Sequence, residues 1–582
     1  MTYLRPGSYR YRRYPAASLE AARSWARAEA PLLYADGFTA IAEHWDEPSS
    51  TLVVTYIELA DRPRREGLRA RLMAIAAAAV AIVLIVAATG LRFVPSVPSG
   101  AEVPTATPRP TQPASGAPVA TVDPYAGAVP RYEATECRSE WATFLPSDCG
   151  DLIVLEDRAE PDGRRIVLHV AVVRSDAATP LPDPVVYLEG GPGGSALTTG
   201  FYAYPFLERR DVIVMDQRGT GYSEPSLQCS EFVFLLGQAE ADALRRCRTR
   251  LVGQGIDLAD YHTAASAADL EDLRRALGYE QWNLYGVSYG TRLALTVLRD
   301  HHTAVRSVIL DSVYPPGADI YGDGGLNAQR AFDALFQACA ADRACGGAHP
   351  DLEAHFYELV ERLDAEPRRA GALLGLGGLE VDGSTLVLLL FEQMYVTELL
   401  GGLPAALERF HAGDWSELDT WALPLTDLRR RLALPWDALN VGLYYSVQCA
   451  EALPFLDRGR LGELDQRVSA ALRGAFDWQF LVDNCAAWEV PAAQSTVNQP
   501  VSSSVPALLL AGTFDPVTPP AWAELAAGTL SRSWPVVVPG AAHGVLGTSY
   551  CVDDIVGDFL AAPDVLLYTG CTLILGDLDF DL

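Results

Sequence analysis

A serine flanked by glycines lies at the centre of the pattern G-V-S-Y-G, residues 286–290. The apolar stretch 282–285 before it predicts a short strand, and residues 292–299 after it predict a helix. A sharp turn between a strand and a helix exposes a side-chain hydroxyl, and glycines two positions before and after the serine allow the two backbones to pass closely. The pattern therefore predicts Ser288 as a nucleophile.

A serine hydroxyl needs a base to accept its proton and an acid to hold that base. His543 lies in P-G-A-A-H-G, after the apolar stretch 534–538, and Asp515 lies in G-T-F-D-P, after the stretch 505–510. Functional groups gather in loops at the carboxyl ends of strands in open α/β sheets. The chain order predicts a catalytic triad of Ser288, Asp515 and His543. The other downstream histidines lie in or at the end of segments predicted to be helical: His301, His302, His349, His355 and His411.

Backbone amides must stabilise the negative charge that forms on an attacked carbonyl oxygen. We expect one from Tyr289, directly after the nucleophile, and one from the loop E-G-G-P-G-G-S, residues 189–195, after the apolar stretch 184–188. Gly191 is the predicted donor in this loop because Pro192 has no N–H. The loop lacks the Lys-Ser/Thr ending of a phosphate-binding P-loop.

Composition restricts the class of protein. The chain has 582 residues, 49% of them hydrophobic and 20% charged, which predicts several globular domains. Its formal net charge of −29 argues against nucleic acid as a partner, because phosphates require a basic face. The sequence contains no lysine, so arginine is its only strongly basic residue. No Cys-x-x-Cys pair is present, and we expect neither a metal nor a cofactor.

The amino-terminal part predicts a membrane anchor. Residues 1–61 form a small segment with a predicted helix at 16–30 and a predicted hairpin at 38–45 and 51–59. Residues 72–91 carry no charge and are long enough to span a bilayer, and five arginines lie between residues 62 and 71. The positive-inside rule then predicts a cytoplasmic amino terminus and an extracellular catalytic domain. Residues 94–129, rich in Pro, Thr and Ala, predict an extended linker.

The cysteines are consistent with this topology. All ten follow the predicted span, which predicts disulfides in an oxidising compartment. Ten cysteines allow many connectivities, and pairing of neighbours in the sequence is our hypothesis. These neighbouring pairs are Cys137 with Cys149, Cys229 with Cys247, Cys339 with Cys345, Cys449 with Cys485, and Cys551 with Cys571.

Strand and helix patterns alternate through 131–317 and resume at 502–582. This alternation predicts an α/β domain with a mostly parallel sheet covered on both faces. Residues 318–501 are mainly helical in pattern and predict a lid inserted between two core strands. Asp216 and Arg218, in D-Q-R-G-T-G-Y-S, are interpreted as structural residues of a loop.

The motifs E-G-G-P-G-G-S, D-Q-R-G-T-G-Y-S, G-V-S-Y-G, G-T-F-D-P-V-T-P and G-A-A-H-G together resemble the secreted bacterial tripeptidyl aminopeptidases and the related proline iminopeptidases. The resemblance covers roughly 132–571, including a carboxyl-terminal segment like that of the tripeptidyl aminopeptidases. It implies the α/β-hydrolase fold, with an inserted helical lid, and a serine exopeptidase that cleaves peptide substrates through an acyl-enzyme. The predicted membrane anchor departs from the secreted members.

An exopeptidase that acts at amino termini needs a carboxylate to bind the substrate ammonium. Glu451, in C-A-E, is our candidate, and Glu189 is a weaker one; a structural role is equally open for both. Two other functions remain open, an esterase or lipase with the same triad and a non-catalytic receptor that uses the hydrolase fold. The sequence predicts neither the oligomeric state nor the length of the released peptide.

Overall fold

The computed structural model describes residues 9–15, 38–46, 51–58 and 128–581, the last range with gaps at 140–141, 143–144, 200–204, 232–239, 371–378, 422–438, 477 and 577. The chain divides into two compact units, Met1–Pro118 and Val119–Leu582. The predicted helix at 16–30, the predicted membrane span at 72–91 and nearly all of the predicted linker at 94–129 lie outside the described residues. Among the helices that are described, none has both the length and the apolar character needed to cross a bilayer.

The first unit contains a three-stranded antiparallel sheet. Its strands are β1 (Tyr9–Pro15), β2 (Phe38–Asp46) and β3 (Thr51–Glu58), in the order β1-β3-β2. Strands β2 and β3 lie where the sequence predicts a hairpin and pair antiparallel. Strand β1 is additional to the prediction: its sequence Y-R-Y-R-R-Y-P alternates tyrosine with arginine over four residues only and contains no Val, Ile or Leu.

The second unit is built on a nine-stranded sheet of order β14-β13-β10-β9-β7-β8-β6-β5-β4. The strands from β14 to β8 in this order are parallel, whereas β6, β5 and β4 join antiparallel at one edge. Strand β8 lies on one side of β7 and β9 lies on the other, so the strand order reverses at β7. In α/β sheets, ligands bind at the carboxyl ends of the strands where the order reverses. The bounds are β4 (Arg131–Thr135), β5 (Ser147–Leu155), β6 (Arg165–Val173), β7 (Val185–Leu188), β8 (Val212–Met215), β9 (Trp282–Val287), β10 (Val305–Asp311), β13 (Ala507–Gly512) and β14 (Ser533–Val538).

The parallel strands are apolar throughout because both faces of the sheet are covered. In β13, Leu509 and Ala511 pack into one hydrophobic cluster, while Leu508 and Leu510 pack into the cluster on the other face. Successive side chains of a strand point to opposite faces, so burial of both faces requires an unbroken apolar run. The predicted α/β class with a mostly parallel, doubly covered sheet is confirmed.

Helices of the core surround this sheet. They are α1 (Ala196–Thr199), α2 (Glu240–Gly253), α3 (Thr263–Leu277), α4 (Tyr289–His301), α14 (Pro520–Ala527) and α15 (Tyr550–Ala561). Between β10 and β13 the chain is mostly helical, with α5 (Gly324–Ala341), α6 (Arg343–Ala348), α7 (Leu352–Ala365), α8 (Gly383–Gln393), α9 (Leu403–His411), α10 (Val441–Glu451), α11 (Arg458–Arg467), α12 (Ala470–Arg473) and α13 (Gln479–Trp488). Two short strands, β11 (Arg368–Ala370) and β12 (Leu379–Val381), pair within this inserted helical region.

The inserted helical region has its own hydrophobic core, in which Phe332, Phe356 and Phe410 are fully buried. Phe514 and Ala542 belong to the same cluster, although they come from the loops after β13 and β14. These two residues directly precede Asp515 and His543 in the chain. The inserted helices therefore pack against the loops that carry two of the predicted triad residues.

Five disulfides join all ten cysteines. The pairs are Cys137–Cys149, Cys229–Cys247, Cys339–Cys345, Cys449–Cys485 and Cys551–Cys571. Each joins neighbours in the sequence, so the predicted connectivity is confirmed.

Candidate active site

Ser288 lies on the turn between β9 and α4, as the glycine pattern predicts. Its backbone has φ 56° and ψ −123°, a conformation that costs a non-glycine residue free energy and occurs mainly at functional sites. A Cβ at Gly290 would clash with the carbonyl oxygen of Leu188 in β7. Glycine is therefore required where helix α4 starts beside the central strand, and the turn holds the Ser288 hydroxyl at the carboxyl end of the sheet.

Asp515 and His543 lie on the loops after β13 and β14 and are hydrogen-bonded to each other. The distance between His543 Nδ1 and Asp515 Oδ2 is 2.9 Å. Asp515 is fully buried, and its other oxygen accepts hydrogen bonds from the backbone N–H groups of Val517 and Thr518. The Thr518 hydroxyl donates to Asp515 Oδ2 at 2.6 Å. With Nδ1 bound to the carboxylate, Nε2 of His543 is the nitrogen left to accept a proton.

Asp311, at the end of β10, connects the serine turn to the histidine loop. Its backbone carbonyl accepts the N–H of Ser288 at 2.9 Å. Its carboxylate accepts the N–H groups of Val545 and Leu546 at 2.8 and 2.9 Å. A Cβ built on Gly544 would lie 4.0 Å from Cγ1 of Val287, which directly precedes Ser288. The structure thus brings the segments that carry Ser288 and His543 into contact.

The electrostatics of the Asp515–His543 pair favour an ionised carboxylate beside an imidazole that readily takes a proton. Burial alone raises the pKa of Asp515, but the His543 charge and the hydrogen bonds from His543 and Thr518 outweigh it and leave this pKa below its ordinary value. Burial lowers the pKa of His543, and the Asp515 carboxylate more than reverses that effect. The pair can therefore accept the Ser288 proton and stabilise the resulting imidazolium.

The predicted oxyanion donors lie beside the nucleophile. A Cβ on Gly190 would approach Ser288 Cβ to 3.1 Å, and Gly191 lines the same cavity as Ser288. Tyr289 opens α4, where the first N–H groups of a helix have no partner within the helix. The glycine loop is fixed by buried Asp216, which accepts hydrogen bonds from the Ser195 hydroxyl and from the N–H of Leu197.

Arg218 has a structural role, as the sequence indicates. The guanidinium is fully buried and donates to both carboxylate oxygens of Asp269 at 2.7 and 2.8 Å. It also donates to the carbonyls of Glu156 and Asp260. The residue holds the segment after β5 and the segment before α3 together, and it is not among the residues that line the Ser288 cavity.

A cavity of about 550 Å³ opens at Ser288. The inserted helical region supplies most of its wall, which is rich in aromatic side chains. Tyr395, two residues after the end of α8, lines the cavity, and its ring centroid lies 4.9 Å from that of the His543 imidazole. The carboxylates of Glu240 and Glu392 also line it. Its aromatic side chains are Tyr321, Phe391, Tyr395, Tyr444, Tyr445, Phe476, Trp478 and Phe480.

Other groups of the protein bind the two predicted ammonium-binding carboxylates, Glu451 and Glu189. Glu451 is 2% exposed, and its oxygens accept hydrogen bonds from the backbone N–H and the hydroxyl of Thr263, both at 2.8 Å. Arg292 Nε also forms an ion pair with Glu451 Oε2 at 3.5 Å. Neither Glu451 nor Glu189 lines the described cavity wall. The assignment of Glu451 to substrate is therefore corrected: its oxygens are used to hold α10 against the start of α3.

Glu189 is held within its own loop. It accepts hydrogen bonds from the Tyr187 hydroxyl at 2.9 Å and from the N–H of Gly190 at 2.8 Å. Its carboxylate thereby fixes the conformation of the glycine loop beside Ser288. We correct this assignment also, from substrate binding to support of the loop.

Sequence reasoning missed three residues at the site, namely Asp311, Glu392 and Tyr395. Asp311 carries a recognisable signal, since it ends a predicted strand next to the nucleophile strand. Glu392 and Tyr395 carry none, because they belong to a helical segment whose placement over His543 depends on packing of the inserted region.

A strained serine on a strand-to-helix turn, with a hydrogen-bonded Asp–His pair on the loops after two other strands of the sheet, is the arrangement typical of a serine hydrolase. Residues 183–549, more than half of the chain, match the model of the α/β-hydrolase fold. The chain belongs to this family.

Individual relatives agree with the resemblance seen in the motifs, which is confirmed. Serine protease Hip1 of Mycobacterium tuberculosis is 27% identical over 429 residues, which is 66% of this chain and 80% of that protein. Tripeptidyl aminopeptidase of Streptomyces lividans is 26% identical over 352 residues, 54% of this chain and 63% of that protein. Among solved structures, proline iminopeptidase of Mycobacterium smegmatis has 16% identity and a TM-score of 0.35, with 71% of this chain and 98% of that chain covered.

Proposed function

We propose that the chain is a membrane-anchored, extracytoplasmic serine aminopeptidase that releases short peptides or single residues from peptide amino termini. The Asp515–His543 pair next to the strained Ser288 turn supports a hydrolase that works through an acyl-enzyme. The relatives named serine protease and tripeptidyl aminopeptidase support peptides as its substrates.

The reaction follows from the geometry of the site. His543 accepts the Ser288 proton at Nε2 while the hydroxyl oxygen attacks the peptide carbonyl. Asp515 holds the imidazole through Nδ1 and stabilises its charged form. The N–H groups of Gly191 and Tyr289 receive the developing oxyanion. His543 then gives its proton to the departing amine, and water activated by His543 hydrolyses the acyl-enzyme.

Glu392 is the observation that carries the aminopeptidase assignment. It lines the Ser288 cavity, and no hydrogen bond or ion pair between described residues involves its carboxylate. Burial raises its pKa above the ordinary value, since no neighbouring cation offsets the desolvation. A desolvated carboxylate of this kind gains most from a cation, and the free amino terminus of a peptide supplies one. Glu392 lies three residues before Tyr395, whose ring contacts His543.

Glu240 is the other carboxylate of this cavity and is less suited to the role. Its Oε1 accepts a hydrogen bond from the Tyr445 hydroxyl at 2.6 Å. We propose that the inserted helical region serves as a lid, with Glu392 fixing the amino terminus and the aromatic wall holding the residues that follow it.

A Glu392→Gln variant tests this assignment. Loss of one charge-assisted hydrogen bond to an ammonium is expected to lower kcat/KM about ten- to a hundredfold on peptidyl amide reporters with a free amino terminus. The same reporters with an acetylated amino terminus should change less than about threefold, because they never made that bond. The measurement is kcat/KM for matched free and acetylated mono-, di- and tripeptidyl amides.

Glu463→Gln is the matched control, since Glu463 is an exposed carboxylate on α11 in the same inserted region. It should leave both reporter classes unchanged. Equal losses on free and acetylated reporters in Glu392→Gln would reject the ammonium-binding role. Turnover of acyl esters without turnover of any aminoacyl amide would favour the esterase function instead.

The proposed location rests on the uncharged stretch 72–91 and on the five disulfides, which form in oxidising compartments.

Because the chain contains no lysine, an amine-reactive biotin ester can label only its amino terminus. We expect a membrane-impermeant ester to label the full chain only after the cells are permeabilised. External protease should remove the second unit from intact cells. Labelling of intact cells, or protection of the second unit from protease, would contradict this topology.

A further inference from the structure

Two histidines and two glutamates face one another across two helices of the inserted region, apart from the catalytic cavity. His355 and Glu358 lie three residues apart on α7, and Glu408 and His411 lie three residues apart on α9. Residues at this spacing share one face of a helix. The two helices therefore present the patterns H-x-x-E and E-x-x-H toward each other.

The side chains of these residues are already in contact. The imidazoles of His355 and His411 are stacked, with ring centroids 3.9 Å apart and planes 12° apart. His355 Nδ1 lies 2.9 and 3.0 Å from the two carboxylate oxygens of Glu408. His411 Nε2 lies 2.9 Å from Glu358 Oε2. One ligand atom each from His355, Glu408 and His411 lies within 4.8 Å of the others.

The charge of the cluster matches a divalent cation. Imidazoles bind a metal in their neutral form, so the two carboxylates would supply a charge of −2 that one divalent ion neutralises. Two nitrogen and two oxygen ligands are a donor set typical of tetrahedral zinc, whereas calcium and magnesium prefer oxygen alone. Tetrahedral coordination at about 2.0–2.2 Å requires the stacked imidazoles to rotate so that one ring nitrogen of each points at the same ion.

The cluster is accessible, and its backbone is held in place. The side chains of His355, Glu408 and His411 are 28%, 20% and 26% exposed, so an ion can reach them from solvent. Arg362, one turn beyond Glu358 on α7, donates hydrogen bonds to the backbone carbonyls of Phe410 and His411. These bonds fix the end of α9 against α7, so that little ordering is needed when the ligands close around an ion.

We propose that His355, Glu358, Glu408 and His411 form a structural binding site for one zinc ion that cross-links α7 and α9. This site is additional to the hydrolase chemistry and does not depend on the proposed substrate. The sequence predicts no metal because it has no Cys-x-x-Cys pair. The ligands proposed here are histidines and glutamates on two helices, about fifty residues apart in the sequence, which that pattern does not cover.

The test is a titration of the full chain, produced without a polyhistidine tag and freed of metal with a chelator. Zn²⁺ is followed by calorimetry, and Co²⁺ is followed by the visible absorption bands that report tetrahedral coordination. We expect one saturable zinc site per chain and an increase in Tm when it is filled. The double variant H355A/H411A should lose at least about a hundredfold in zinc affinity, and E358Q, at an exposed position, about tenfold. Calcium should not compete with zinc.

The matched control is H301A/H302A, which removes two histidines at the end of α4, outside the cluster. It should keep the zinc affinity of the unchanged chain. E358Q keeps the test decisive if the double histidine variant folds poorly. No saturable zinc binding by the full chain, or binding that survives H355A/H411A and E358Q, would overturn the site and leave two hydrogen-bonded His–Glu pairs.

Discussion

Replacement of Ser288 by alanine is expected to lower kcat/KM by roughly 10⁴- to 10⁶-fold while the fold remains intact. The variant lacks the oxygen that forms the acyl-enzyme, so only binding and the oxyanion amides can still assist hydrolysis. The hydroxyl removed is small and makes no described hydrogen bond that supports the turn. Reporter hydrolysis, Tm and labelling by a serine-reactive fluorophosphonate are the measurements.

The control for this variant is Ser531→Ala, since Ser531 is exposed and lies outside the cavity. It should keep both activity and fluorophosphonate labelling, whereas Ser288→Ala should lose both. Retention of more than about 1% of activity by correctly folded Ser288→Ala would mean that another group is the nucleophile.

The variant Asp515→Asn is expected to reduce kcat/KM by about four powers of ten. A neutral amide cannot stabilise the imidazolium and can hold His543 in the wrong tautomer, with the proton on the nitrogen that must accept it. The fold should survive because asparagine has nearly the same shape and can still accept the N–H groups of Val517 and Thr518.

The pH profile adds a second measurement to this prediction. The base acts in its neutral form, so kcat/KM of the unchanged chain should rise as pH increases through the raised pKa of His543. Asp515 is the group that raises this pKa, so Asp515→Asn should move the acid limb to lower pH. Asp558→Asn, at an exposed position on α15, should alter neither the rate nor the limb. An Asp515→Asn rate within tenfold of the unchanged chain would reject Asp515 as the triad acid.

Local sequence patterns were sufficient to select the candidate catalytic residues and to place them at the ends of strands. Ser288 carries its signal in the five residues around it, and Asp515 and His543 each follow an apolar strand at once. Strand ends converge on one edge of a parallel sheet, so chain order alone implied that these three residues meet. The same reasoning predicted the α/β class, because strands buried on both faces have continuous apolar sequences.

Residues that act through distant partners could not be predicted in this way. Glu451 finds its partners in Thr263 and Arg292, which precede it by 188 and 159 residues. The sequence around C-A-E does not indicate that the start of α3 and Arg292 lie within bonding distance of the Glu451 carboxylate. Glu392 has no such partner among the described residues. It lines the cavity because α8 packs in one hydrophobic cluster with Ala542, the residue before His543. Both placements are set by tertiary packing, which short-range patterns do not encode.

The double connection made by Asp311 has a consequence for the tolerance of the site to change. One residue anchors the nucleophile through its main chain and the histidine loop through its carboxylate. A displacement of β10, by mutation or by thermal motion, therefore carries both reacting groups in the same direction. We expect this shared anchor to keep the serine turn and the histidine loop aligned with each other, so strain in this strand should alter which substrates fit the cavity before it impairs proton transfer.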